Sequence, residues 1–166
     1  MAALRARHPD ARWLPPHKLH LTLVFLGQTE SRDVQRIAAL TSAVAERHRA
    51  YAVVTGDGGG RVHTERGGVC WLRLAEGGRE TAQLALDLDT DLGSATYDAT
   101  HPPHPHLTLA RGIDRATLDD VRSTARGLKL RWTAERIVLF RSYTEPAGSI
   151  YEELAEFELR GARAVD

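Results

Sequence analysis

The chain has a single cysteine, Cys70, only two lysines, Lys18 and Lys129, and no long apolar run. A lone cysteine has no partner for an intramolecular disulfide. Cys70 lies in the apolar run V-C-W-L-R-L, so a buried, unreactive thiol is expected. A helix that crosses a bilayer needs roughly 18 consecutive apolar residues. No stretch approaches that length, and no membrane partner is expected. The opening M-A-A-L-R-A-R-H-P-D is basic without an apolar segment, so no secretory signal is expected and the reading places the protein in the cytoplasm. Neither sign of charge is in excess. With 22 basic and 22 acidic residues, bulk attraction to long nucleic acid is not indicated, and a nucleic-acid substrate would be gripped locally, at an end. No glycine-rich phosphate loop leads into a lysine and a helix, so ATP is not implied. The glycines at 56–60 lack that lysine and read as part of a mobile loop. The preference for arginine over lysine follows from a GC-rich genome as readily as from phosphate recognition.

What the chain does have is one string twice. H-L-T-L occurs at His20 to Leu23 and again at His106 to Leu109, each time inside an apolar run that predicts a strand. Strand side chains alternate between faces, so His20 and Thr22 share one face while Leu21 and Leu23 point the other way, and the same holds for His106 and Thr108. Strands side by side would gather two imidazoles and two hydroxyls in one polar patch. Histidine, with an ordinary pKa of about 6.5, serves as base in one copy and acid in the other.

The chain is long enough for one domain with a real core, and a single domain over 1–166 is expected. Helical spacing predicts a helix over Ser31 to Arg49, with Ser31 as cap, then a strand over Tyr51 to Thr55 and a loop over Gly56 to Gly68. A strand over Val69 to Leu74 and a helix over Arg79 to Leu92 follow. The second half repeats the order: an irregular proline-rich stretch at Ala99 to Pro105, a strand over His106 to Ala110, a helix from Asp114 to about Gly127, and long strands over Leu130 to Arg141 and Tyr151 to Leu159 joined by T-E-P-A-G-S. The duplicated order predicts an α+β fold of two pseudo-symmetric lobes, each an antiparallel sheet with helices outside, and an active-site groove between them.

These residues carry a resemblance. H-L-T-L-V-F at 20–25 fits the pattern H-x-T-x-x-F, and H-L-T-L-A-R at 106–111 fits H-x-T-x-x-R. With A-R-W-L-P-P-H-K-L before the first motif, V-C-W-L-R-L between them, and I-V-L-F-R-S then Y-E-E-L-A-E-F-E-L after them, the chain resembles the two-histidine phosphoesterases. Within that superfamily it resembles the bacterial RNA 2′,3′-cyclic phosphodiesterases, also called 2′-5′ RNA ligases. Members open with an apolar strand and a helix ahead of the first motif. Only 19 mostly polar residues precede His20, so that piece is expected to be missing and one sheet edge exposed.

Opening a strained cyclic phosphate with water needs a base for the water and an acid for the departing ribose oxygen, on opposite sides of phosphorus. Paired strands from two lobes would supply that. The resemblance implies that His20 protonates the leaving 3′ oxygen and His106 activates water, giving a 2′-phosphate; the residues alone leave the two roles interchangeable. Thr22 and Thr108 would donate to the nonbridging oxygens. Arg111 would balance phosphate charge, and Phe25 and Tyr143 would contact the nucleoside, with core packing the competing reading of Phe25. No cofactor is implied. A 5′-hydroxyl in place of water would give ATP-independent 2′-5′ ligation. His101, His104 and His106 are close in sequence, but Pro102, Pro103 and Pro105 constrain the backbone and a metal on His106 would occupy the lone pair a base needs, so no metal is expected. His104 is expected to flank the groove or face solvent, as are His8, His17, His48 and His63. The implied partners are RNA 3′ ends, tRNA fragments or small cyclic nucleotides, bound by a monomer. The alternative is a noncatalytic RNA-end or nucleotide-binding module on the same fold.

Overall fold

A computed structural model describes residues 2–63, 67–94, 96–98, 101–125, 127–145 and 148–161. The elements are α1 (Ala2–Arg7), β1 (Arg12–Trp13), α2 (Val34–Arg47), β2 (Tyr51–Arg61), β3 (Gly68–Glu76), α3 (Gly78–Leu92), β4 (His106–Ile113), α4 (Arg115–Ala125), β5 (Arg131–Ala134), β6 (Arg136–Glu145) and β7 (Gly148–Glu158), with 3-10 turns at Pro16–Lys18 and Ser31–Asp33. The strands form a five-stranded sheet in the order β1-β4-β3-β2-β5 and a hairpin of β6 and β7. The expected α+β class with antiparallel sheets is what forms. Residues 64–66 of the expected glycine loop, 99–100 of the proline-rich stretch, 126 of the expected third helix and 146–147 of the expected turn lie outside the described residues.

The chain folds as two compact units, and they do not follow its sequence halves. The first comprises the segment up to Leu23 with Ala52–Ala82 and His104–Trp132; the second comprises Val24–Tyr51, Gln83–Pro103 and the chain from Thr133 onward. Both H-x-T motifs fall in the first unit. Its core is built from Leu4, Ala11, Cys70, Leu72, Leu107, Leu109, Ala110, Ile113, Leu118, Val121 and Ala125, with Trp13, Leu19 and Leu21 packed against it. The mostly polar first 19 residues therefore contribute Leu4 at 1% exposure, and β1 is a two-residue strand on the sheet edge, too short to template another chain. Cys70 is fully buried in this core, and loss of hydration pushes its thiol up to about 11, which makes it an inert packing residue.

The glycine run expected as a loop is instead the middle of β2. Gly58, Gly59 and Gly60 pair with Leu72, Trp71 and Cys70 of β3. On the core face, α4 approaches so closely that a Cβ at Gly60 would sit 2.5 Å from Leu118 Cδ1, and one at Gly58 3.0 Å from Ala125 Cβ. On the opposite face the Trp71 indole covers Gly59, with Nε1 2.5 Å from where a Cβ would be. Glycine is needed here for close approach on both faces, which composition alone reads as a turn. Asp114 caps α4: its carboxylate accepts the Thr117 backbone N–H at 2.8 Å and the Thr117 hydroxyl at 2.6 Å.

The second unit holds α2, most of α3, and β6 with β7. Ile37, Thr41, Val44 and Ala45 are the buried face of α2. Ser31 opens a 3-10 turn instead of capping the helix; the N-cap position of α2 falls to Asp33, which makes no side-chain capping bond. The single strand expected over Leu130 to Arg141 divides at Glu135, whose carbonyl accepts the Leu159 N–H at 2.8 Å; β5 joins β2 and β6 pairs with β7. His48 and His8 are not turned to solvent. His48 lies 2.7 Å from Asp87 and ties the end of α2 to α3, while His8 lies 2.8 Å from Asp120 and ties the end of α1 to α4.

Two measurements check this packing. Gly60→Ala should lower stability by about 1–3 kcal/mol through overpacking against Leu118, whereas Gly78→Ala, whose nearest neighbour is Leu74 Cβ at 3.7 Å, should stay within about 0.5 kcal/mol of the parent; equal urea midpoints for the two would contradict the helix contact. Asp120 accepts both Arg7 nitrogens, at 2.8 and 3.0 Å, and together with His8 they hold its carboxyl well below the usual range. A depressed carboxyl adds stability above its ordinary pKa of about 3.9 and loses it as pH falls. Urea midpoints of the parent and Asp120→Asn should differ at pH 7 and converge below about pH 4; a constant gap down to pH 3 would refute the lock.

Candidate active site

A bridge to β4 sets the two H-x-T motifs side by side. Leu21 forms an antiparallel bridge with Leu107. Leu19, Leu21 and Leu107 all pack into the first-unit core, so by strand alternation His20, Thr22, His106 and Thr108 face the other way. Continuing the register one residue each way sets His20 across from Thr108 and Thr22 across from His106. Opposed residues of an antiparallel pair have Cβ atoms about 5 Å apart, and diagonal ones lie about 7–8 Å apart. The imidazoles thus occupy one diagonal of a quartet and the threonines the other.

The first motif does not form the expected regular strand. Among the described residues Leu21 is its one bridged position, and continuing the register would set Leu23 against Pro105, which has no N–H to offer. The second motif does form its strand, longer than expected and ending at Ile113.

Each ring is held by the same local bond. His20 Nδ1–H donates to the Lys18 carbonyl at 2.8 Å, and His106 Nδ1–H donates to the His104 carbonyl at 2.7 Å. A carbonyl only accepts, so the proton of each neutral ring sits on Nδ1 and the lone pair on Nε2. The backbone two residues upstream therefore chooses the tautomer at both sites.

A bulge determines which face Arg111 occupies. Cys70 pairs with Ala110 and Trp71 with Thr108, leaving Leu109 as the extra residue of β4. Leu109 and Ala110 are both fully buried, and Arg111 returns to the His106 face, where strict alternation would have put it in the core. Arg12 pairs with Arg111, and Val69 pairs with Arg111 on the other side.

β3 adds residues that the sequence reading overlooked. Trp71 is opposite Thr108 and Arg73 opposite His106. The Trp71 and His106 ring centroids are 5.2 Å apart with planes tilted by 48°. Trp71 Nε1 is buried and has no hydrogen-bond partner among the described residues. Alternation within V-C-W-L-R-L already separates Trp71 and Arg73 from the core residues Cys70 and Leu72. The pairing of that run with the second motif is a tertiary fact.

Phe25 and Tyr143 both belong to the second unit. Phe25 is 73% exposed, which excludes the core-packing alternative. Tyr143 on β6 is exposed, and its hydroxyl donates to Glu152 Oε2 at 2.9 Å.

Paired H-x-T segments on one face of an antiparallel sheet define the two-histidine phosphoesterase class. A family model for the 2′-5′ RNA ligase superfamily matches residues 1–145, and the chain belongs to that family. It is 34% identical over 158 residues to an RNA 2′,3′-cyclic phosphodiesterase of Thermus thermophilus, covering 89% of this chain and 75% of that protein. A protein of the same description from Escherichia coli is 31% identical over 116 residues, covering 68% of this chain and 63% of that one. Among solved structures, Escherichia coli LigT complexed with 3′-AMP superposes with a TM-score of 0.74 at 25% identity, over 95% of this chain and 88% of that one.

Long-range 1H–15N NMR on the neutral rings should show His20 and His106 as Nδ1–H tautomers. An Nε2–H tautomer at either position would contradict the shared backbone bond.

Proposed function

We propose that this protein hydrolyses a 2′,3′-cyclic phosphate, at an RNA 3′ end or on a small nucleotide, to a 2′-phosphomonoester. The observation that supports this reading most is the Leu21–Leu107 bridge, which joins the two H-x-T motifs. The names of the Thermus and Escherichia relatives support it, and the nucleotide in the LigT complex supports a nucleotide site.

In this reading His106 Nε2 takes a proton from water as the water oxygen attacks phosphorus. The bond from phosphorus to the 3′ oxygen breaks in line, and His20, charged at Nε2, protonates that oxygen. Thr22 and Thr108 donate hydroxyls to the nonbridging oxygens as charge builds there, and Arg111 offsets the remaining negative charge. Phe25 and Tyr143 contact the nucleoside. The reaction uses no cofactor and no metal. A 5′-hydroxyl replacing water makes a 2′-5′ linkage with the same pair, and tRNA fragments, other RNA ends and small cyclic nucleotides are the candidate substrates of a monomer.

The test is turnover of a defined oligonucleotide ending in a 2′,3′-cyclic phosphate, with EDTA present. A 2′-phosphate product is expected, and His20→Ala or His106→Ala should each lower kcat by about 10²–10⁴-fold. The kcat/KM profile should be bell-shaped in pH. His106→Ala should lose the low-pH limb, where the base is protonated, and His20→Ala the high-pH limb, where the acid is spent. Turnover that survives replacement of both histidines, or tight binding with no turnover, would refute the assignment.

A further inference from the structure

The quartet lies beside a row of three arginines, of which the reaction chemistry uses Arg111 alone. Register across four strands sets Arg12, Arg111, Val69 and Arg61 side by side on the same face as His106, one step beyond the row of His20, Thr108, Trp71 and Gly59. All three arginines are exposed. Arg12 and Arg111 are directly opposed, and like charges in that position repel and destabilise the pair. No carboxylate holds a register position in either row.

Elsewhere arginines are neutralised across elements, Arg7 with Asp120, Arg47 with Asp91, Arg131 with Glu76 and Arg136 with Glu156, while Arg36, Arg73 and Arg79 stand singly without an ion pair among the described residues. Arg12, Arg61 and Arg111 have no carboxylate partner among the described residues, although the chain carries as many acids as bases. Gly112 also makes room for Arg12. Its φ is +67°, and a Cβ there would lie 3.3 Å from Arg12 Nη2, so the guanidinium rests against the β4 backbone next to Arg111. The two rows are separated by two residues of β3, about 7 Å, a spacing comparable to that of neighbouring phosphates in an RNA chain.

We propose that Arg12 and Arg61, flanking Arg111, hold the phosphodiester next upstream of the reacting end, so that the preferred substrate is an RNA chain and not a mononucleotide. The proposal rests on the cyclic-phosphate reading above and extends it to the substrate's length. With Arg111 committed to the reacting phosphate, a phosphodiester held by Arg12 and Arg61 adds a second negative charge beside the row and offsets the repulsion of the opposed pair. Arg73, on the far side of the quartet beside His106, does not belong to this row.

The experiment compares kcat/KM for a 2′,3′-cyclic mononucleotide with that for a tetranucleotide ending in the same group. The parent should favour the tetranucleotide. Arg12→Gln and Arg61→Gln should each cost about tenfold on the tetranucleotide and less than about twofold on the mononucleotide, and each should flatten the salt dependence for the tetranucleotide only. Arg73→Gln should affect both substrates alike. Equal losses on both substrates in the Arg12 and Arg61 variants, or loss of the length preference in Arg73→Gln, would overturn the proposal. The two substituted residues lie on different strands, so a folding defect in one, seen as a lowered urea midpoint, leaves the other as the test. If the parent turned over neither substrate, the cyclic-phosphate reading would fail by itself. Equilibrium binding of a 2′-phosphate-ended tetranucleotide against the matching mononucleotide would then decide the arginine row on the same variants: a length preference lost in them supports it, and an unchanged one overturns it.

Discussion

The contact on which the site depends is the antiparallel bridge between Leu21 and Leu107. It is one backbone pairing, anchored because Leu107 is buried in a core with Leu72, Leu109 and Val121 and Leu21 packs against that core. Burial of those two side chains forces their neighbours outward, and their neighbours are the two histidines and two threonines. The face that carries both H-x-T motifs is thus a consequence of packing on the other side of the sheet. The short upstream bonds to the Lys18 and His104 carbonyls then settle which nitrogen of each ring is presented. Prolines before the second motif keep β4 from extending past His106, so the quartet sits at the end of the ladder and not within it.

The sheet itself is shaped by what lies on its two faces. α4 presses Leu118 and Ala125 against Gly60 and Gly58, and the Trp71 indole lies over Gly59 on the opposite side. One indole therefore touches the glycine strand and approaches the His106 ring. The bulge at Leu109 adds a second adjustment, since it carries Arg111 back to the working face after two consecutive buried residues. Charge follows the same division. Arginines that bind elements together are matched with carboxylates, and among the described residues those in the row beyond the quartet are not.

Much of this was legible in the residues, and the parts that were not share a cause. Alternation in H-L-T-L and in V-C-W-L-R-L separates core from exposed positions without any structure. Apolar spacing finds α2, α3 and α4, and Asp114 is read correctly as the start of the last. The strand through Gly58 to Gly60 is not legible, because glycine composition looks the same whether it serves a turn or a close helix approach. The division of the chain into units is not legible either: the order of elements repeats by halves, while both motifs fold into the first unit. Leu21 meeting Leu107, and Arg12 meeting Arg111, are long-range registers that no local pattern encodes. Arg111 illustrates the point most simply, since strict alternation would have buried it and a single extra residue in β4 exposes it.

The central claim is that His20 and His106 address one phosphorus atom from opposite sides. A crystal structure with a 2′,3′-cyclic phosphorothioate that resists cleavage tests it most directly. The account predicts phosphorus between the two rings, with each Nε2 within hydrogen-bond reach of an oxygen on it and the Thr22 and Thr108 hydroxyls on the nonbridging atoms. A ligand bound at one ring alone, or on another face of the sheet, would contradict it.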